Sequence, residues 1–431
     1  MRSDLERAGW ATDDGRSGPA EVVVVNTCTV TRRADQESRQ LIRRLARERP
    51  GARIVVTGCY AQRAPAEVIA IPGVSLVLGT AEREGSGWQE ALRTTAPESG
   101  RAAFHVAPGR ARRPVAEPSP LHFGRTRALL KVQDGCDAFC GYCVVPLVRG
   151  RSRSVSRHAV LEQARRLLDA GFRELVLTGA DLGDYDEGGR REGALAALVE
   201  AILALRATGP PHRVRLSSIE PQKVDVPLLS LLASEPRLCR HLHLPLQSGS
   251  ATLLRSMRRA YGPREYAALV ERAAAAGPIA IGADVIVGLP GEGEREFEES
   301  LVFVEALPIA SLHVFRYSPR PGTRAETLGD LPAAAAVRDR AARLRHLGES
   351  KREAFARSLV GSTRGIVLEA RRGKDGAWLG TSDLFATVAI GRRPDHPGPF
   401  QARIVGFDGE LLRGEPLALG DERSKEPVAE R

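Results

Sequence analysis

A short apolar, β-branched run followed by a helical pattern recurs six times between residues 128 and 317, and this repeat constrains the fold of the 431-residue chain more than any other feature. Strands are expected at Ala128–Gln133, Glu174–Thr178, Arg213–Ser217, His241–Leu244, Gly282–Val287 and Leu312–Tyr317. Serial strand-helix units of this kind close into a full or partial parallel barrel whose chemistry sits at the carboxyl ends of the strands. Six units rather than eight favour the partial barrel.

The flanks read differently. Glu21–Asn26, Arg53–Thr57 and Ser75–Leu78 are apolar runs separated by amphipathic stretches such as Arg32–Glu48, which predicts a parallel α/β domain over residues 1–100. Residues 101–124, rich in Pro, Gly and Arg and without either periodicity, read as a linker to a barrel over 125–357. After that, Gly365–Glu369, Trp378–Gly380, Phe385–Ile390, Gln401–Gly406 and Glu410–Gly414 are short strands with turn signals, the pattern of a small antiparallel β-barrel over 361–428.

Composition narrows the class. Hydrophobic residues at 42% and charged residues at 27% suit a globular chain and exclude a disordered one. No apolar run approaches the ~20 residues needed to span a bilayer, and Met1–Trp10 lacks the layout of a signal peptide, so a cytoplasmic protein without membrane contact is expected. In that compartment the six cysteines are thiols or metal ligands rather than disulfides. The formal charge is +10. Six arginines against Glu117 alone lie between Arg101 and Arg127, and four arginines with no acidic residue between Arg149 and Arg157, which suits an anionic partner. The terminal segment from Gly361 holds eleven basic and eleven acidic residues, so nucleic-acid binding there would depend on shape and local patches.

The two arginine clusters flank Cys136-Asp-Ala-Phe-Cys140-Gly-Tyr-Cys143, placed directly after the first barrel strand. Three thiolates can hold three irons of a 4Fe-4S cluster and leave the fourth open to chelate a ligand, unlike a closed four-cysteine ferredoxin site. The alternative is a structural zinc site completed by His122 or His158.

The spacing, the aromatic Tyr142 before the last cysteine and the position after the first strand together resemble the radical S-adenosyl-L-methionine (SAM) enzymes. That resemblance implies that the open iron takes the amino and carboxylate groups of SAM and that cluster reduction generates a 5′-deoxyadenosyl radical. It also marks Thr178-Gly179, Ser217 and Glu220 in Ser217–Pro221, Gln247 in His243–Gly249, and Asp284 and Gly288 in Asp284–Glu292, all at strand ends, as contacts to SAM. Any one of these has a plainer explanation in strand-end turn chemistry.

The stretch Gln133–Gly150 with Ser152-Arg153-Ser154 is similar to the methylthiotransferase family of radical SAM enzymes. Ser217–Pro221, His241–Gly249 and His313–Ser318 most resemble its MtaB-type branch, which acts on N6-threonylcarbamoyladenosine beside the anticodon of transfer RNA. Leu289 and Arg316 depart from the family pattern, at positions that hold no ligand. The rivals are the same chemistry on N6-isopentenyladenosine or on an aspartate of a ribosomal protein and, from another class, an RNA-binding protein with a structural cluster. Membership implies that the terminal barrel is a TRAM module that binds RNA. It implies that Arg149, Arg151 and Arg153 contact the phosphates of the anticodon stem-loop, that a flavodoxin or ferredoxin supplies electrons, and that the enzyme is a monomer. It further implies a second 4Fe-4S cluster on Cys28 and Cys59, which otherwise read as thiols buried at strand ends; Cys239 matches no ligand. The family's second cluster uses three cysteines, the first in a Gly-Cys segment on an opening strand. Met1–Trp10 reads as the helix after that strand, so the resemblance predicts that the given start is internal to the reading frame.

Overall fold

The computed structural model describes residues 5–6, 9–12, 20–80, 82, 103–106, 126–206, 210–275, 277–394 and 398–417. The first sheet is wholly parallel, in the order β1 (Val22–Thr27), β2 (Arg53–Gly58), β3 (Val74–Leu78) and β4 (Ala103–His105). The last of these differs from expectation: three residues of the stretch read as a linker add a strand beside β3. Helix Arg32–Glu48 starts where Thr31 accepts a hydrogen bond from the Ala34 amide, and it buries Ile42 against Val56, Tyr60 and Val77. Of the helix expected at Met1–Trp10, Leu5 and Glu6 are helical among the described residues, and Leu5 and Trp10 pack on Leu76 and Leu78.

The six repeats form β5 (Arg127–Lys131), β8 (Glu174–Thr178), β9 (Arg213–Leu216), β10 (His241–His243), β11 (Ala280–Val287) and β12 (Ser311–Arg316), all parallel within their sheets. Bridges Val214–Leu238 and Ser218–His243 join the two three-stranded sheets into one partial barrel, open between β5 and β12. Its helices lie outside, over the core that contains Leu130, Leu177, Leu216, Leu242 and Val285. The stretch expected as one strand to Gln133 divides: β6 (Gln133–Asp134) leaves β5 and pairs antiparallel with β7 (Arg153–Ser154), which cinches the neck of the cysteine loop.

The terminal strands β13 (Thr363–Arg372), β14 (Trp378–Ser382), β15 (Thr387–Ile390), β16 (Phe400–Phe407) and β17 (Leu412–Pro416) close into a barrel in the order β13-β14-β15-β17-β16. Four pairings are antiparallel and one, β15 with β17, is parallel.

Both flanking bodies are fixed to the partial barrel by arginines. At the amino ends of β8 and β9, Glu174 is fully buried between Arg213 and Arg215, whose Nε atoms donate to it at 2.7 and 2.8 Å. Their remaining donors reach backbone carbonyls of the terminal barrel: Arg213 to Gly365 (2.8 Å) and Thr381 (2.9 Å), Arg215 to Ser382 (2.7 Å). At the other end, Arg320 donates to Asp35 at 2.9 Å and to the Thr29 carbonyl at 3.1 Å, locking the first domain beside the loops after β12.

Candidate active site

The cysteine loop is held by backbone contacts as well as by the packing of Tyr142 on Leu253, Met257 and Leu289. Gly135 adopts φ 72°, and a Cβ there would stand 2.0 Å from the Arg151 carbonyl oxygen, so only glycine fits. Gly141 donates to the Met257 carbonyl at 2.8 Å and accepts from the Ala325 amide at 2.7 Å, which clamps the loop between two distant segments. Phe139 takes the left-handed conformation, φ 46°, to turn Cys140 inward.

Cys136 and Cys140 are buried and Cys143 is half-buried. Burial, above all, pushes the Cys136 and Cys143 thiols up to about 12 and raises Cys140 as well, so as free thiols they stay protonated near neutral pH. A metal centre would displace those protons. Hydrogen-bond donors already point at the sulfurs: Arg259 Nη1 lies 2.9 Å from Cys140 Sγ and the Ala138 amide 3.4 Å from Cys136 Sγ. Among the described residues, the groups close enough to share a single ion are Cys136 with Asp181 and Asp184, and His243 with Asp284 and His313. The three cysteines do not converge in that way, whereas a tetrahedral zinc with bonds of about 2.3 Å would draw its sulfurs together. Three soft donors spread around a wider centre fit an iron–sulfur cluster.

Arg259 organises the surroundings of this loop. Nearly buried, it also contacts the Tyr142 hydroxyl at 3.3 Å and Glu220 Oε1 at 3.1 Å. Cys140, Tyr142 and Glu220 therefore share one guanidinium. Burial raises the Glu220 carboxyl against the opposing pull of Arg259. Thr178 and Gly179 end β8 beside Gln133, whose Oε1 would lie 2.7 Å from a Cβ on Gly179 and accepts from the Asp181 amide at 3.0 Å. Gln247 is buried at φ 70°, and its amide donates to the Asp284 carbonyl at 2.7 Å. Gly288 serves packing: its φ is 81°, and a Cβ would stand 2.9 Å from Val337 on the long helix.

Ser217 and Asp284 line the lumen of the partial barrel. Ser217 Oγ is buried with no partner among the described atoms. Asp284 Oδ1 accepts from His243 Nε2 at 3.0 Å and His313 Nδ1 at 3.1 Å. Burial works to raise this carboxyl, but the two histidine hydrogen bonds outweigh it and hold it at about 2.

The arginines expected to face phosphate each lie beside a carboxylate of the protein. Arg149 Nε donates to Cys59 Sγ at 3.4 Å and Nη1 to Asp134 at 3.3 Å, while 41% of its side chain stays open to solvent. Arg153 lies 3.6 Å from Asp134. Arg151 pairs with Asp137 at 2.7 Å and remains 61% exposed, which leaves it the most available of the three. Cys59 follows β2, buried against Val144 and Val148 just beyond the cysteine loop, whereas Cys28 follows β1 and is exposed. Gly58 precedes Cys59 at φ 101° because a Cβ would meet the Thr27 carbonyl oxygen at 2.3 Å. Cys239 is buried just before the fourth barrel strand.

Two residue groups escape the sequence reading. Arg259 lies 119 positions from Cys140, with no spacing to link them. His243 and His313 stand in strand-end strings, but only their register beside Asp284 joins them.

The profile of the radical SAM superfamily matches residues 130–304, and that of the uncharacterized protein family UPF0004 matches residues 1–79. The threonylcarbamoyladenosine tRNA methylthiotransferase MtaB of Bacillus subtilis is 39% identical over 392 residues, 90% of this chain and 85% of that protein. The chain belongs to the radical SAM methylthiotransferase family. Another methylthiotransferase, the tRNA-2-methylthio-N(6)-dimethylallyladenosine synthase of Trichlorobacter lovleyi, is 34% identical over 96% of this chain and 94% of its own. The fold is also that of the radical SAM methyltransferase TsrM of Kitasatospora setae, at a TM-score of 0.52 and 18% identity, over 73% of this chain and 64% of that one. This methylthiotransferase is thus an enzyme that uses SAM and a 4Fe-4S cluster, and Cys136, Cys140 and Cys143 are the thiols whose setting fits that cluster. Among the described residues, no helix is long and apolar enough to cross a membrane.

Proposed function

We propose that this methylthiotransferase acts on transfer RNA, converting N6-threonylcarbamoyladenosine at position 37 to its 2-methylthio derivative. The observation that carries the reading is the placement of Cys59 against the helix that follows the cysteine loop, with Arg149 bonded to both Cys59 and Asp134. One helix and one arginine thereby link Cys59 to the cysteine loop, which supports a reaction that both activates a carbon and delivers sulfur. The MtaB relative adds the substrate, since its name specifies threonylcarbamoyladenosine. When bound, the cluster and SAM supply the radical chemistry. The chain's share is to hold the loop rigid through Gly135 and Gly141, to neutralise cluster charge through Arg259, and to shield the centre from water.

In this reading Cys28 and Cys59 hold a second 4Fe-4S cluster, Thr178, Gly179, Gln247 and Glu220 surround SAM, and the terminal barrel is a TRAM module. The target base leaves its stack to enter the barrel, and Arg151 meets the backbone of the anticodon stem-loop. A flavodoxin or ferredoxin supplies electrons to a monomeric, cytoplasmic enzyme. The test is nucleoside mass spectrometry after incubating the reconstituted enzyme, SAM and a reductant with stem-loops carrying either modification. Product from the threonylcarbamoyl stem-loop is expected. Product only from the dimethylallyl stem-loop, the substrate in the name of the Trichlorobacter relative, would replace this reading with that one.

A further inference from the structure

The barrel lumen holds a cavity of about 700 Å³ that reaches from Asp284 and from Ser217 and His243, at the carboxyl ends of β9 and β10, down to Glu369, Arg371 and Phe385 of the terminal barrel. It lies at the gap between β5 and β12, where Leu129 and Phe315 stand 39% and 47% exposed. Its size suits a modified base rather than an ion.

The lining is mostly apolar, from Leu129, Val176, Leu216, Phe315 and Phe385, with charged groups at defined points. Arg127 and Arg371 share one carboxylate, Glu369, at 3.2 and 2.6 Å. Thr381 donates to the same Glu369 at 2.6 Å, so this acid is fixed and its capacity is taken. Arg215 is offset by Glu174. On the opposite wall, Asp284 orients both His243 and His313, and His313 turns its Nε2 away from that bond with 57% of its side chain exposed. Apolar walls thus carry guanidinium groups and the exposed His313 at fixed points, an arrangement that suits a substituent with both an apolar part and an anionic end.

We propose that this chamber is the subsite for the N6 substituent of the target adenosine. That substituent bears a carboxylate read by Arg371 and His313, while Phe315 at the rim stacks on the base. The inference rests on the transfer RNA reading above. It gives the terminal barrel a second task, since Arg371 and Phe385 belong to it and form the chamber floor.

The test compares dissociation constants of the holoenzyme for three stem-loops: threonylcarbamoyladenosine, its carboxamide and unmodified adenosine. The wild-type enzyme is expected to prefer the acid over the amide by roughly ten-fold. Arg371→Ala and His313→Ala should each bring that ratio towards one, and Arg371→Lys should keep most of it. Because each variant is scored as a ratio between ligands that differ only in the substituent, poor folding lowers both affinities and leaves the ratio in place. Equal wild-type binding of acid and amide, or an unchanged ratio in both alanine variants, overturns the subsite alone. A wild-type enzyme that methylthiolates an aspartyl peptide or a dimethylallyl stem-loop, and not the threonylcarbamoyl one, overturns the functional reading and the subsite with it.

Discussion

The two ends of the partial barrel are built on opposite principles. At the carboxyl ends of the strands, conformation is spent on reach: Phe139 and Gln247 hold positive φ, Gly135 and Gly179 admit neighbours that no side chain would, and thiols lie buried without a counter-charge except Arg259. At the amino ends, Glu174, Arg213 and Arg215 satisfy one another and the terminal barrel, in unstrained strands. One end is pre-organised to receive a group the chain does not itself provide; the other is complete as it stands. The lesson is that a buried charge can signal chemistry or mere attachment, and that partner count tells them apart.

Predictions can break that contrast. Replacing Cys136, Cys140 or Cys143 by alanine should reduce 5′-deoxyadenosine formation to background and lower bound iron, with urea stability changed by less than about 1 kcal/mol. Retained SAM cleavage in any single variant would remove the assignment of this loop. At the opposite end, Glu174→Ala should cost about 3–5 kcal/mol in urea unfolding, because two buried guanidinium groups lose their counter-charge. Limited proteolysis should then release the terminal barrel, and an intact protease pattern would argue against the attachment role.

The same acid gives a pH window. Burial would raise the Glu174 carboxyl, yet Arg213 and Arg215 hold it at about 2, below its ordinary 4.5. A depressed carboxyl contributes stability above its unfolded value, lost as pH falls from about 4.5 through 2. The expected loss is a few kcal/mol in wild type and much less in Glu174→Gln; identical acid titrations of the two proteins would contradict it.

Arg259→Ala should weaken iron retention by roughly 10–100-fold and lower the midpoint potential of the cluster, since a donor to sulfur is lost. An unchanged potential in Arg259→Ala would make this arginine a structural filler. The smallest effect is expected at Arg151, where reversal to Glu should weaken stem-loop binding a few-fold and reduce its salt slope by about one to two. Salt dependence equal to that of wild type would confine Arg151 to its pair with Asp137.

What the sequence made legible follows from the range of the interactions. Helix Arg32–Glu48 and strand Glu174–Thr178 match expectation residue for residue, because period and capping are local. The spacing of the cysteine loop was equally readable, since its three thiols lie within eight positions. Ala103–His105 was not: a three-residue strand in a Pro- and Arg-rich stretch exists only through its pairing with β3. Arg149 and Arg153 illustrate a further limit. Their charge was visible as a basic run, but antiparallel pairing of β6 with β7 sets Arg153 opposite Asp134, and the end of helix Val145–Arg149 brings Arg149 to the same acid. Arg259 and the His243–Asp284–His313 group depend on contacts across the barrel and left no pattern in the chain.

The docking of the terminal barrel has an evolutionary corollary. Arg213 and Arg215 grip carbonyl oxygens of Gly365, Thr381 and Ser382, atoms every amino acid carries. Such an attachment is blind to side-chain identity on the gripped partner. At those three positions the side chains are therefore free to drift without a matching change on the arginines, whereas Glu369 and Phe385, which meet Arg127 and Arg215, are tied to theirs. Only a shift of strand register or a displaced backbone would be felt at those carbonyls, so inheritance there constrains the geometry of the module more tightly than its spelling.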